Sequence, residues 1–238
     1  MKALAILMWL SVPAALVAWW LGPGVDARAR DRAAAAVRDA ERFRTDDPAA
    51  AVQAFDEALA ALPDADRPAA TRLRLERAKA RIDAAQLAQA SQELDALVEE
   101  LAATPDADPA LVADAHDALA TSDFYVTWLK RLEGMPRDEW EPHAESARQS
   151  WRRLADAAEA RGDAVAATRH AENLEAVIRL ARMDPEALQG QPIPKQCRGC
   201  KGNSCRSCNR KTRSLKPPTG TNDARGGGDG PPPDRSGS

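Results

Sequence analysis

The sequence predicts an all-α protein built of antiparallel helical hairpins, and three observations carry that prediction. Hydrophobic residues make up 44% of the chain but aromatics only 4%, so alanine and leucine dominate its apolar content. Such side chains suit closely packed helices, whereas sheets draw on β-branched and aromatic types. Between residues 31 and 190 the apolar positions recur at helical spacing. The same stretch is punctuated: Asp47-Pro48, Asp108-Pro109 and Asp184-Pro185 each set a capping carboxylate before a first-turn proline, and Gly134-Met135-Pro136 and Gly162-Asp163 mark breaks.

The chain opens on an uncharged run from Ala3 to Val25, preceded by Lys2. A helix needs about 20 apolar residues to cross the hydrocarbon core, so residues 3–21 read as a single transmembrane span within an anchor of residues 1–25. Trp9, Trp19 and Trp20 suit an interfacial belt, and Gly22-Pro23-Gly24 is expected to stop the helix. A cleaved signal, cut near Ala27-Arg28-Ala29, and a buried soluble helix are the rival readings. Arg28, Arg30 and Arg32 follow the span and argue for a cytoplasmic body. The likeness of the leader to an export signal argues for the outside, and the reading leans weakly that way.

The body, residues 31–190, follows as a series of amphipathic helices. After Pro48 the stripe is Ala51, Val52, Phe55, Ala58, Leu59 and Leu62; around 70–86 it is Leu75, Ala78, Ile82 and Ala85. The longest helix is expected from Pro109 to about Leu132, with Leu111, Ala115, Leu119, Ser122, Val126, Leu129 and Leu132 near one face. The next carries Ala144, Ala147, Trp151, Leu154 and Ala158. Such stripes bury against partner helices, and short connections make neighbours antiparallel.

Spacing within these helices resembles the tetratricopeptide repeat. "DDPAAAVQAFDEALAALP" matches its second half through Ala51, Phe55, Ala58 and Pro63. "WRRLADAAEARGDAVAA" matches its first half and turn through Trp151, Leu154, Ala155, Gly162, Asp163 and Ala167, and Ala78 and Ala90 repeat the small-small spacing. Asp39 stands where the first repeat has a small residue, and Leu97 and Leu174 replace a later alanine. The resemblance covers about 35–100 and 148–180 and implies a solenoid that binds other proteins.

Phe124, Tyr125, Trp128, Trp140 and Trp151 crowd into thirty residues of a chain poor in aromatics. They read either as a core joining two long helices or as a recognition patch. In the second case Tyr125, Trp128, Arg131 and Trp140 are the partner-binding residues, with Arg137 and Glu139 at the rim. No G-x-x-x-x-G-K loop, G-x-S-x-G turn or H-E-x-x-H pair is present, and no carboxylate pair stands out. No enzyme activity and no small-molecule substrate are expected. His116, His143 and His170 fall on different predicted helices and are expected at surface or cap positions.

All four cysteines lie in "KQCRGCKGNSCRSCNRK": Cys197, Cys200, Cys205 and Cys208. Two C-x2-C knuckles can set four thiolates around one Zn²⁺. Paired disulfides or a redox couple, Fe–S ligation, and a basic tail with no joint role for the thiols remain alternatives. From 187 to 222 no acidic residue occurs, while Lys195, Arg198, Lys201, Arg206, Arg210, Lys211, Arg213 and Lys216 do. No aromatic follows Trp151, so the block lacks a stacking platform and nucleic acid is not the expected partner. Residues 191–216 thus read as a basic four-cysteine module, and 217–238, without apolar residues to anchor a fold, as a disordered tail. The sequence therefore predicts a membrane-anchored helical scaffold for a protein partner, or else a zinc- or thiol-sensing module presented by helices.

Overall fold

The computed structural model describes residues 23–189 together with Trp9, Ser11 and Gln191. The cysteine module, the tail and nearly all of the N-terminal apolar run lie outside the described residues. Among the described residues every regular element is a helix: α1 (Pro23–Phe43), α2 (Pro48–Ala61), α3 (Arg67–Asp83), α4 (Leu87–Ala103), α5 (Pro109–Leu132), α6 (Arg137–Ala160), α7 (Ala164–Arg182) and α8 (Pro185–Gln189). None of them is long and apolar enough to cross a membrane. The compact unit they form ends at Gln191.

The helix starts follow from the carboxylates. Asp47 accepts a hydrogen bond from the Ala50 amide, Asp108 from Ala110 and Asp163 from Ala166, each at 3.0 Å. Asp184 does the same for Glu186 at the start of α8. Each carboxylate satisfies an amide that the first turn leaves without a partner. Pro23 is the first residue of α1, as suits a residue that lacks the amide hydrogen the first turn cannot use. The helix that Gly22-Pro23-Gly24 is expected to stop lies outside the described residues.

Three turns close by the same left-handed residue. Gly134 (φ 72°) and Gly162 (φ 73°) follow α5 and α6, and Ala85 (φ 59°) follows α3. In each the next amide reaches back to a carbonyl of the last helical turn: Met135 to Lys130, Asp163 to Ala158, and Gln86 to Arg81.

Loops of two to five residues make successive helices antiparallel neighbours, and each helix from α1 to α6 packs on the next. α3 also meets α5, and α8 folds back on α5. The core is correspondingly divided along the chain. Ala40, Ala51, Val52, Ala54, Phe55 and Ala80 join α1, α2 and α3. Leu75, Ala78, Ala90, Leu94, Leu97, Ala115 and Leu119 join α3, α4 and α5. Ala120, Phe124, Trp128, Trp151, Leu154, Val177, Leu180 and Leu188 join α5 to α8. Each helix pair thus buries its stripe against its neighbours, as in a stacked array. The alanines at the small-small spacing are where backbones approach: Ala78 and Ala90 are fully buried, and so are Ala40 and Ala51. In the first hairpin Ala40, one position beyond Asp39, supplies the small contact.

Charge tightens the same packing. α3 carries six basic residues and lies between α2 and α4, whose only charged residues are acidic. Arg77 pairs with Asp56 of α2 at 2.5 Å and with Glu93 of α4, and Arg81 reaches Glu93 at 2.6 Å. On another side Arg44 meets Glu76 at 2.7 Å and Lys79 meets Asp114 of α5 at 2.5 Å.

Candidate interaction site

The aromatic block lies where α5, α6 and α7 meet. On α5, Phe124 is the hub: its ring stands edge-on to Tyr125 at 5.7 Å and is tilted against Trp128 and Trp151, each at 6.0 Å. The helical step of α5 sends Phe124 and Trp128, four apart, to one face. Trp151 arrives from α6 and donates from Nε1 to Asp117 Oδ1 at 2.9 Å.

The four residues expected to bind a partner are neighbours in the fold but differ in what they expose. Trp128 is 4% exposed and belongs to the core, so it supports the surface rather than forming it. Tyr125 is half-buried and packs against both the middle and the last core cluster. Trp140 is half-buried, with the Arg131 guanidinium 4.8 Å from its ring centroid. Arg131 also donates to Leu180 O and, at 2.6 Å, to Met183 O, carbonyls at the end of α7. It therefore acts first as a cap on α7, placing a cation where the helix dipole is negative. The two residues expected at the rim are each in an ion pair: Arg137 with Glu141 at 2.5 Å and Glu139 with Lys130 at 3.3 Å. Met135, 39% exposed, lies in the turn between the two aromatic helices.

Beneath this surface run two polar contacts that sequence reasoning did not single out. His143 Nδ1 of α6 lies 2.9 Å from Asp123 Oδ1 of α5, and His170 Nδ1 of α7 lies 3.4 Å from Asp117 Oδ1. His170 is 5% exposed, so it is a buried residue and not a surface or cap histidine. Its Nε2 faces the Arg169 guanidinium at 3.3 Å. Burial would raise the Asp117 carboxyl, but hydrogen bonds from His170 and Trp151 and the charges of His170 and Arg169 hold it below its ordinary value. Asp95 of α4 is pushed up by burial and by the Asp123 charge, with His143 opposing. These pairs have helical spacing to core residues but no sequence motif, so only the crossing of α5 with α6 and α7 brings them together.

Among the described residues no group of three or more His, Cys, Asp or Glu side chains is arranged to hold a metal ion. Cys197, Cys200, Cys205 and Cys208 lie outside the described residues. No family model, curated protein or solved structure matches the chain.

Proposed function

We propose that the protein is a scaffold: a tetratricopeptide-like helical body, tethered to a membrane by residues 3–21, that holds a protein partner through the edge formed by Tyr125, Arg131 and Trp140. The observation that carries this reading is the succession of helices each packed on the next, with α3 reaching past α4 to α5. Such an array offers a long continuous surface for a protein ligand. The aromatic edge supports it further. Tyr125 and Trp140 keep part of their rings open above a buried base of Phe124, Trp128 and Trp151, and rigid half-open aromatics are favoured anchors of interfaces.

A photo-crosslinking residue at Met135 and another at Val165, which is 76% exposed on α7, test the proposal in cells. The scaffold reading expects one protein captured from Met135 and not from Val165, with capture lost in Trp140→Ala and kept when all four cysteines are serine. The competing reading, a zinc- or thiol-sensing module, rests on the spacing of Cys197, Cys200, Cys205 and Cys208. It gains if the serine variant alone abolishes capture or response. A reporter fused after Ser238 assigns the side of the membrane.

A further inference from the structure

The turn that joins α5 to α6 carries charge that the fold itself does not use. Most carboxylates of this corner have an internal task. Glu139 is held by Lys130 and Glu141 by Arg137. Asp184 accepts from the Glu186 amide at the start of α8. Asp138 stands in the first turn of α6, where the helix dipole favours a negative charge. Glu133 has no such task. It is the C-cap residue of α5, is exposed, and forms no ion pair among the described residues. The end of a helix is where the dipole opposes a carboxylate. The cations nearby are already engaged: Lys130 reaches across the turn to Glu139 O at 2.8 Å, Arg131 serves the carbonyls of α7, and Arg182 answers the dipole of α7 in its last turn. Elsewhere the fold does match such charges, as Arg77 does for Asp56 and Glu93.

We propose that the partner segment held at this edge is basic: a lysine or arginine set against Glu133 and Asp138, with an apolar side chain beside it on the open parts of Tyr125 and Trp140. The inference rests on the scaffold reading and adds to it the chemistry of the partner. The half-open rings supply apolar area but no preference of charge. Arg131, the cation nearest Trp140, is spent on two carbonyls and on the ring, so it has little left for an acidic ligand. The charge left over in the turn is negative, on Glu133 and Asp138, to either side of the exposed Met135. A cation from outside both pairs with Glu133 and relieves its conflict with the α5 dipole. An acidic segment would meet like charge there.

Three short labelled peptides, each with a central leucine flanked by lysines, by glutamines or by glutamates, test it against the full chain in neutral detergent, with binding read by fluorescence anisotropy. The lysine peptide should bind roughly three- to tenfold more tightly than the glutamine peptide, the size of one or two rim ion pairs, and the glutamate peptide least. The preference should shrink at 1 M salt, where screening acts within about 3 Å. Glu133→Lys should erase most of it and, by answering the α5 dipole, raise Tm and not lower it. Trp140→Ala should weaken all three peptides. Lysine and glutamine peptides bound equally, with both lost in Trp140→Ala, would overturn the basic partner and leave the scaffold edge standing. Binding of none of them, or a Tm that falls in Glu133→Lys, would also overturn it, while capture from Met135 judges the scaffold reading separately. A gain in peptide affinity when glutamine replaces Lys195, Arg198 and Lys201, or self-association that Glu133→Lys abolishes, would give the edge another occupant and overturn the proposal.

Discussion

Arg77 and Glu93 form a two-pronged ion pair between α3 and α4: Nε of the arginine donates to Oε1 at 3.1 Å, and Nη2 donates to the same oxygen. Arg81 takes the other oxygen, and the Glu93 side chain is left 8% exposed. A carboxylate so enclosed is favourable only while its cations stay, because its hydration has been given up. Glu93→Gln should therefore destabilise the protein by about 2–3 kcal/mol, less than the full loss of a buried pair because Arg77 keeps Asp56. The double variant Arg77→Met, Glu93→Met should lose clearly less than Arg77→Met and Glu93→Met added, since the two charges of the pair go together and what remains is the loss of a partner by Arg81 and by the half-exposed Asp56. Urea denaturation of the wild type, Glu93→Gln, the two single methionine variants and their double measures both.

Ala85 occupies a position where two sister turns use glycine. Its φ of 59° puts its Cβ against backbone, a cost of roughly 1–2 kcal/mol for an L-residue. Ala85→Gly relieves that strain but gives the unfolded chain more freedom, so the expected net gain is about 0.5–1 kcal/mol. The reverse change tests the same argument. Around Gly162 an added Cβ meets nothing within 4 Å, so any loss in Gly162→Ala comes from φ alone and should be about 1 kcal/mol. Thermal melts of the two variants should move in opposite directions.

What the sequence made legible was the part governed by local rules. Asp47, Asp108 and Asp184 announced helix starts because a carboxylate before proline has one favourable use, and the alanine spacing announced close hairpins. Trp128 could not be separated from Trp140, since both have helical spacing to other aromatics. The crossing of α5 over α6 buries the first and leaves the second half-open. Sequence cannot show the capping contacts of Arg131, because its two carbonyl acceptors lie some fifty residues away, at the end of α7. The histidine–aspartate contacts were hidden for the same reason: their pairing is a property of helix crossings, which periodicity does not report.

Asp117 collects the Trp151 indole and the His170 imidazole, and its carboxyl is held below the ordinary value of 3.8 chiefly by hydrogen bonds that outweigh its burial. A depressed carboxyl contributes stability that is complete above the unfolded-state value and is lost as pH falls through the folded one. Asp117→Asn keeps an acceptor for the indole but removes the charge. At neutral pH it should cost about 1–2 kcal/mol. The gap between wild type and variant should stay constant down to about pH 5 and close as the pH drops below about 4. Unfolding free energies along that series give the answer, and a gap that widens in acid would contradict the assignment.

Arg131 ties α5 to the end of α7 through Leu180 O and Met183 O while its guanidinium covers Trp140. Lysine at this position keeps the charge but has no planar fork to serve two carbonyls and stack on an indole at once. Arg131→Lys should therefore lose about 1–2 kcal/mol, and Arg131→Met, which takes its side-chain donor from Met183 O and leaves Leu180 O only the bond from the Met183 amide, about 2–3 kcal/mol. The loss should be local. α8 packs on α5 and buries Leu188 completely, so it depends on the same corner. Hydrogen exchange in the last turn of α7 and in α8 should accelerate by about tenfold or more in Arg131→Met, while amides of α2 and α3 hold their wild-type rates. If both ends of the chain loosened together, Arg131 would be stabilising the whole array and not capping one helix of it. If only Trp140 fluorescence changed, the stacking and not the carbonyl bonds would be its contribution.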